Sequence, residues 1–479
     1  MTRSFASCTT ALAMALSVTP VAAAEWRLAS GVDARTVYSD NATLSADEQE
    51  SDLFSSVAPR LSLTGTGRHL RLRLDYQPQY VFSLADSESS RLDQQVNLIG
   101  DADFFDRRLS FDGRVQYGQR QRSNRSAGGL DAFDRTDNRT NSLNVAFNAR
   151  WQSRLSRFAN FTALAGVTQV SYDVADASDT TGLRFEAGLD SGNYFNRLRW
   201  DTRFRFREFT RSSGSADSYA DGSAGLRFRL NRRWSASLRA GLENNQYDTN
   251  RGDAASINWS AGLNWTPSKR TSAQFTLGKR FFGTTYAATV SHQSRRTRLT
   301  FSYNEEISQR QLVELELLEF QSLDDVLAAE LGQTLILTLP DGTVLAGVPR
   351  LGDENFVRRR FSLDAGLSLR RSALGLQLHY ETREYERSGS SEDVLSASAR
   401  WSYTVEQNLG LRTVATARWL SDSTSSGSER FASLLAALDY RLGSRTRLTL
   451  EAQHRRNDSD VSDSGYAENR VSLGVGVSF

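Results

Sequence analysis

The sequence has little cysteine and histidine, and each scarcity excludes a kind of site. Its single cysteine, Cys8, lies near the N-terminus, so the chain cannot form an internal disulfide or a site made of several thiolates. The four histidines, His69, His292, His379 and His454, lie far apart in the sequence, which argues against a histidine metal cluster. We therefore predict no metal and no cofactor.

Long apolar runs are also missing. After the N-terminal stretch no run of ~18 apolar residues occurs, and the mean hydropathy of the chain is −0.48. This excludes a helical membrane protein. It does not exclude a membrane-spanning barrel, because the strands of a barrel are only half apolar.

The N-terminal stretch has the composition of a secretory signal peptide. An apolar segment follows Arg3, and Ala22 and Ala24 form a small-residue cleavage pattern. We expect residues 1–24 to be removed on export. Residues 25–479 contain no Pro- or Ser-rich linker and are predicted to form one domain.

Apolar and polar side chains alternate along the rest of the chain. Such segments recur about every 20 residues, and each is long enough to cross a bilayer as a tilted strand of ~9–11 residues. The last of them, Arg470 to Phe479, places apolar side chains at every second position and ends on an aromatic one. Other clear segments are 70–76, 109–117, 143–151, 198–206, 234–242, 257–265, 361–369 and 395–403.

Many positions between the apolar ones are charged. On a strand these side chains share one face, which would be solvated in a soluble sandwich and would line the lumen in a closed barrel. The predicted lumen-lining residues are Arg71, Arg73, Asp75, Arg203, Arg205 and Arg207.

The connections between the segments separate these two alternatives. Short ones such as "LNRRW" and "LGSRT" alternate with long polar ones such as "SDSTSSGSE" and "NDSDVSDSGYAEN". Short periplasmic turns at one rim and long external loops at the other are typical of outer-membrane barrels. We therefore predict an all-β fold, a closed antiparallel transmembrane β-barrel of about 22 strands, within a range of roughly 18 to 26, in the bacterial outer membrane.

Two prolines interrupt the strand-like segments. A proline removes a hydrogen bond from the ladder between strands. We expect Pro59 at a strand end and Pro78 at a bulge or local irregularity.

One segment, residues 310–354, breaks the alternation. Ser322 and Asp325 resemble the start of a helix, and "LPDGT" is a turn signal between two short apolar runs. We predict a non-barrel insert on the external side. It caps the pore, folds into it, or forms an external loop with no role in gating.

Arginine dominates the basic residues. Only Lys269 and Lys279 are lysine among 58 basic residues, which leaves 58 − 2 = 56 arginines. Arginine suits planar, bidentate recognition of carboxylate and phosphate. Inward-facing arginines would either line a lumen through which an anionic polymer or solute passes, or pair with acidic side chains in ladders of cross-strand ion pairs. The formal net charge of +2 favours a mixed lining.

Catalytic patterns are weak. His292 and Ser294 are two positions apart, as are His379 and Glu381, but neither pair is accompanied by an oxyanion motif or a third partner. No phosphate-binding glycine loop or nucleic-acid module occurs. We predict neither an enzyme nor a nucleic-acid-binding protein.

Residues 37–82 carry a set of motifs. Tyr38, Asp40 and Asn41 form a Tyr-x-Asp-Asn element, Pro59 to Gly67 reads Pro-x-Leu-Ser-Leu-x-Gly-x-Gly, and a Leu-Asp-Tyr follows at Leu74 to Tyr76. With these motifs the chain resembles the exosortase (PEP-CTERM) system-associated outer-membrane proteins, within the wider β-barrel porin 2 group. The specific motifs are confined to this N-terminal part.

Members of this family are encoded beside genes for exopolysaccharide synthesis and exosortase. The resemblance therefore implies a role in exporting or assembling surface polysaccharide. Our leading hypothesis is a pore or export conduit; the alternative is a non-conducting scaffold barrel of the same machinery. The implied partners are exopolysaccharide and its export proteins, besides outer-membrane lipid. The final Phe479 resembles the C-terminal aromatic residue that the barrel-assembly machinery reads, which makes that machinery a further expected partner.

Overall fold

The computed structural model describes residues 24–85, 90–121, 132–174, 178–250, 252, 254–309, 354–423, 427–460 and 465–479. The regular elements in this part of the chain are β-strands. They are β1 (Glu25–Ser39), β2 (Asp52–Thr66), β3 (Leu70–Ser83), β4 (Arg91–Phe104), β5 (Leu109–Gln121), β6 (Arg139–Arg154), β7 (Ala159–Tyr172), β8 (Thr180–Ser191), β9 (Leu198–Arg211), β10 (Ala216–Arg229), β11 (Trp234–Gln246), β12 (Ala255–Ser268), β13 (Thr271–Arg280), β14 (Gly283–Gln293), β15 (Thr297–Ser308), β16 (Phe356–Ser368), β17 (Ser372–Tyr385), β18 (Ser391–Thr404), β19 (Leu409–Asp422), β20 (Ser428–Leu442), β21 (Thr446–Ser459) and β22 (Tyr466–Ser478).

These strands form one closed antiparallel sheet. Each strand pairs with the next along the chain, and β1 pairs with β22 from Gly31 opposite Ser478 to Ser39 opposite Arg470. Because the first and last strands pair, both potential edges of the sheet are covered. The prediction of a closed barrel of about 22 strands is confirmed.

The two rims differ in their connections. The turn rim is the end of the barrel at which β1 begins and β22 ends, and short connections such as residues 230–233 and 443–445 lie there. The loop rim is the opposite end and carries the longer connections, such as residues 40–51 and 122–138. The expected sorting of connections is therefore present, although residues 281–282 make a tight turn at the loop rim.

The outer face of the barrel is apolar. Leu242 and Ile257 lie opposite each other on β11 and β12 and are 66% and 72% exposed, as lipid-facing side chains are. Tryptophans gather toward the turn rim on this face, where an amphipathic ring suits the membrane interface. They are Trp26, Trp151, Trp200, Trp234, Trp265 and Trp401.

Pro59 and Pro78 lie in the middle of β2 and β3, so the expectation that Pro59 ends a strand is wrong. Val57 pairs with Tyr80 and Leu61 with Tyr76, and the same register places the two prolines directly opposite each other across an interruption in the ladder. Neither proline has an N–H to donate, and their opposition confines the interruption to residues 58–60 of β2 and 77–79 of β3. The barrel therefore tolerates both prolines at the cost of a single gap.

Two predicted segments lie outside the described residues. They are the signal peptide, apart from its last residue, and the insert at 310–354, apart from Glu354. Within the described residues no helix is long and apolar enough to cross a membrane.

Candidate functional site: the charged inner wall

One face of the sheet carries side chains that reach across the barrel, which identifies it as the inner wall. Arg455 on β21 and Arg470 on β22 donate hydrogen bonds to Asp134 in the β5–β6 connection, at 2.8 and 2.7 Å. These partners are 321 and 336 residues apart in the chain. Residues two positions apart on a strand share a face, so these contacts assign the inner wall on the neighbouring strands as well.

On β3 the predicted lumen-lining residues lie on this wall and form ion pairs. Arg71 Nε lies 3.0 Å from Asp101 on β4, and Arg73 Nε lies 2.7 Å from Asp75. Arg73 is only 8% exposed, so its pair is shielded from water more than a surface pair would be. This part of the wall satisfies its own charges.

On β9 the three predicted residues have three different environments. Arg205 Nε lies 2.9 Å from Asp221 on β10. The Arg207 guanidinium lies 5.6 Å from the ring centre of Tyr219, within cation–π range. Arg203 is exposed and has no ion pair with an acid among the described residues. The structure thus separates the β3 group from the β9 group, with β4 to β8 between them.

The loop-rim half of the wall is packed with buried charges. Arg383 on β17 is 0% exposed, and its guanidinium lies 2.6 Å from Glu381 and 2.7 Å from Glu392. His379 lies 3.4 Å from the same Glu381. A buried arginine is stable only with such carboxylate partners, because desolvation strongly disfavours an unpaired charge.

An inward-folded connection contributes to this packed half. We call residues 132–138 the β5–β6 clamp: Phe133 packs in a buried cluster with Phe54 and Val37, and Asp134 joins Arg455 and Arg470. Burial alone would raise the pKa of Asp134, but the two guanidinium groups outweigh burial and hold this pKa well below its ordinary range. Asp134 is therefore a carboxylate.

The ends of β16 and β17 make a second set of contacts across the barrel. Asn355 accepts a hydrogen bond from the Tyr219 hydroxyl and donates one to Asp217 at 2.9 Å, and Glu386 accepts one from Thr249 at 2.7 Å. The β14–β15 ladder ends at Ala288 opposite Tyr303, so the loop-rim ends of these two strands are free to diverge. Five strands, β11 to β15, separate Asn355 from its partners on β10, and six strands, β12 to β17, separate Glu386 from Thr249. These bonds draw the loop-rim half together.

The turn-rim half of the wall is open and polar. One cavity of about 630 Å³ lies against β1, β2 and β19 to β22. It holds both signs of charge: Arg60 Nε lies 2.6 Å from Asp33, and Arg412 lies 3.0 Å from Glu451. A second cavity of about 220 Å³ lies against the turn-rim ends of β9 to β12 and is lined by arginines without an acid.

Of the catalytic candidates, His379 and Glu381 are in contact, but they belong to the buried Arg383 group. His292 and Ser294 bond to threonines instead of to each other. His292 Nδ1 bonds to the Thr271 hydroxyl at 2.8 Å, and the Ser294 hydroxyl bonds to that of Thr297 at 2.6 Å. In the part of the chain that the structure describes, no group of three or more His, Cys, Asp or Glu side chains is arranged to hold a metal ion.

Sequence reasoning missed the clamp and the Arg383 group. Asp134 lies in a polar connection far in sequence from Arg455, so no local pattern signals their contact. Arg383 and Glu381 are two positions apart and could have been assigned to one strand face from alternation alone. Their burial could not have been predicted, because it depends on which connections fold into the barrel at the loop rim.

Comparison with solved structures shows the fold. The chain is similar to a ferric enterobactin receptor from Pseudomonas aeruginosa in complex with enterobactin, with 9% identity, a TM-score of 0.51, and coverage of 95% of this chain and 81% of that one. It is also similar to the FrpB iron transporter from Neisseria meningitidis, with 10% identity, a TM-score of 0.50, and coverage of 94% and 82%. The fold is thus that of outer-membrane barrel proteins.

No known family and no curated protein matches the sequence. The resemblance to the exosortase-associated proteins stays a prediction.

Proposed function

We propose that the chain forms an outer-membrane pore or export conduit for extracellular polysaccharide. The observation that carries this proposal is the open turn-rim half of the inner wall, where cavities of about 630 and 220 Å³ are lined by charged and polar side chains. A hydrated wall of this kind suits a solute rich in hydroxyl and acidic groups. The choice of polysaccharide as the solute rests on the family resemblance of the motifs in residues 37–82. The predicted lumen-lining residues on β3 and β9 are part of the proposed conduit.

The ligands of the iron and enterobactin receptors are not carried over to this chain. Identity of 8–10% supports a shared fold and no shared ligand. The described residues also lack a cluster suited to a metal ion.

A second candidate, a non-conducting scaffold barrel, is favoured by a different observation. The β5–β6 clamp and the ends of β16 and β17 bind across the barrel and pack its loop-rim half. A barrel filled in this way would hold partner proteins in place without passing a solute.

Single-channel recording separates the two candidates. We expect the refolded protein to conduct in a planar bilayer, and Asp134→Asn, which weakens the clamp, to conduct more. Silence of both proteins would favour the scaffold.

The polysaccharide is tested in the parent bacterium. A conduit predicts that deletion of the gene makes polymer accumulate between the two membranes, whereas a scaffold predicts loss of surface polymer without that accumulation.

We also propose that Phe479 acts as a signal to the barrel-assembly machinery. Its backbone N–H donates to the Ser30 carbonyl at 2.8 Å, while its ring is 71% exposed. The ring therefore adds little packing to the closed barrel. Phe479→Ala should lower assembly in cells and leave refolding in detergent unchanged; equal loss in both would make the residue structural.

A further inference from the structure

The arginines at the turn-rim ends of β9 and β10 and in the turn before β11 form a cluster without acids. Arg199 on β9 lies directly opposite Arg227 on β10 in the strand register. The backbone N–H of Arg229 donates to the carbonyl of Arg197 at 2.8 Å, which sets a second pair of arginines side by side. We call these four residues, together with Arg232 and Arg233 of the following turn, the arginine cluster.

Like charges opposite each other across a ladder destabilise a sheet. Two successive arginine pairs at the end of one hairpin therefore carry an electrostatic cost that ordinary cross-strand pairing would avoid. Other inner-wall arginines have carboxylate partners, such as Arg60 with Asp33 and Arg205 with Asp221. A further pair of facing arginines, Arg441 opposite Arg447, lines a cavity that also holds Asp33, Asp439 and Glu451. The residues that line the cavity of the arginine cluster include no acid.

The acid nearest along β9 is already engaged. Asp201 lies opposite Gly225, which has no side chain, and it accepts a hydrogen bond from Arg239 on β11. Among the described residues, no member of the cluster has an ion pair with an acid. The positive charge therefore remains uncompensated within this part of the chain.

The cluster is shaped as a recess. It lines the cavity of about 220 Å³ together with neutral polar side chains, including Asn196, Ser235 and Asn264. Arginine forks bind carboxylate and phosphate in a bidentate manner, and amide and hydroxyl groups bond to sugar hydroxyls. The recess thus presents both kinds of partner that an acidic sugar requires.

The orientation of the strands favours a ligand in the lumen over a lipid. Arg199, Arg227 and Arg229 lie on the inner face, whereas Trp200 and Leu226 lie on the outer, lipid-facing side. An anionic lipid headgroup would approach from the outer side.

We propose that the arginine cluster binds carboxylate groups of an acidic polysaccharide at the turn-rim mouth of the barrel. This inference rests on the proposed export function and names its substrate class. It makes the turn rim the end at which the polymer is first bound.

The test measures binding without requiring conduction. The probe is a fluorescently labelled oligogalacturonate, and its anisotropy is followed with the full refolded protein in nanodiscs of neutral lipid; a neutral dextran oligomer of equal length is the control probe. We expect the acidic probe to bind, the dextran not to bind, and raising the salt to about 1 M to abolish binding, because the Debye length then falls to about 3 Å.

The decisive comparison is between two triple variants that remove the same charge from different parts of the turn rim. Arg199→Gln, Arg227→Gln and Arg229→Gln together should weaken binding about tenfold or more, since bidentate contacts are lost. The matched control replaces Arg441, Arg445 and Arg447 by Gln, which removes the same charge from the same rim on the wall where Asp33 and Asp439 lie. This control should weaken binding by less than about threefold. Heat-modifiable migration on gels confirms that both variants are folded.

Two outcomes would overturn the assignment. Equal weakening in the two triple variants would mean that net charge alone attracts the probe. Binding that is lost in nanodiscs of phosphatidylglycerol would assign the cluster to a lipid headgroup. Binding by the cluster without single-channel conductance would retain the site and remove the export function, so the two failures are distinguishable.

Discussion

The packed loop-rim half of the inner wall and the arginine cluster at the turn rim use arginine in opposite ways. In the loop-rim half Arg383, Arg455 and Arg470 are buried and share carboxylates at hydrogen-bond distance. In the turn-rim half Arg199 and Arg227 are exposed and face each other. Buried arginines need acids for stability, whereas solvated ones do not. Stability is therefore expected to come from charge pairs at the loop rim, and binding from free charge at the turn rim.

The largest effect should be a difference in unfolding free energy when one arginine is removed from the loop-rim half and one from the arginine cluster. Arg383→Met leaves Glu381 and Glu392 buried without their shared partner and should cost about 3–5 kcal/mol of unfolding free energy. Arg199→Met removes an exposed side chain and should change it by less than about 0.5 kcal/mol. Urea unfolding followed by tryptophan fluorescence measures both. Similar costs for the two variants would show that the comparison is wrong.

The clamp offers a second comparison, within one connection. Asp134→Asn weakens the bonds to Arg455 and Arg470, although Glu468 still pairs with both arginines. We therefore expect a smaller cost, about 2 kcal/mol, and faster hydrogen exchange at the Arg135 amide, which donates to the Ala42 carbonyl.

The control is Asp137→Asn, which makes the same charge change at an exposed position of the clamp. It should leave both the stability and the exchange rate unchanged. If the two variants behave alike, the contact of Asp134 across the barrel does not hold the clamp.

The smallest expected effect is that of pH on the stability that Asp134 contributes. The pKa of Asp134 is lower in the folded protein than its ordinary value of 3.8, so the folded state binds the proton less readily than the unfolded state. The stabilisation by Asp134 is then complete above pH 3.8 and is lost only as the pH falls through the lower, folded pKa. The stability difference between the wild type and Asp134→Asn should stay constant from neutral pH down to about pH 5. A decline within that range would mean that the two arginines do not lower this pKa.

The fold could be predicted from the sequence in large part. The side-chain period of two is a local property of extended chain, so the alternation along residues 234–242 and 257–265 already assigned outward faces on β11 and β12. The mutual placement of Pro59 and Pro78 could not be predicted, because it depends on the register between β2 and β3. Part of the arginine cluster was within reach, since Arg227, Arg229, Arg232 and Arg233 lie close together in the sequence, at and just before the short turn 230–233.

The sequence by itself determined that this chain would form a barrel with an apolar outside and an arginine-rich inside, because alternation and the lengths of connections act locally. Only the tertiary structure decided which arginines have acids as partners. Closure of the sheet brings Asp134 to Arg455 across 321 residues, while the β9–β10 register leaves Arg199 facing Arg227. Charge partners are chosen by position in space, and that position exists only once the barrel has closed.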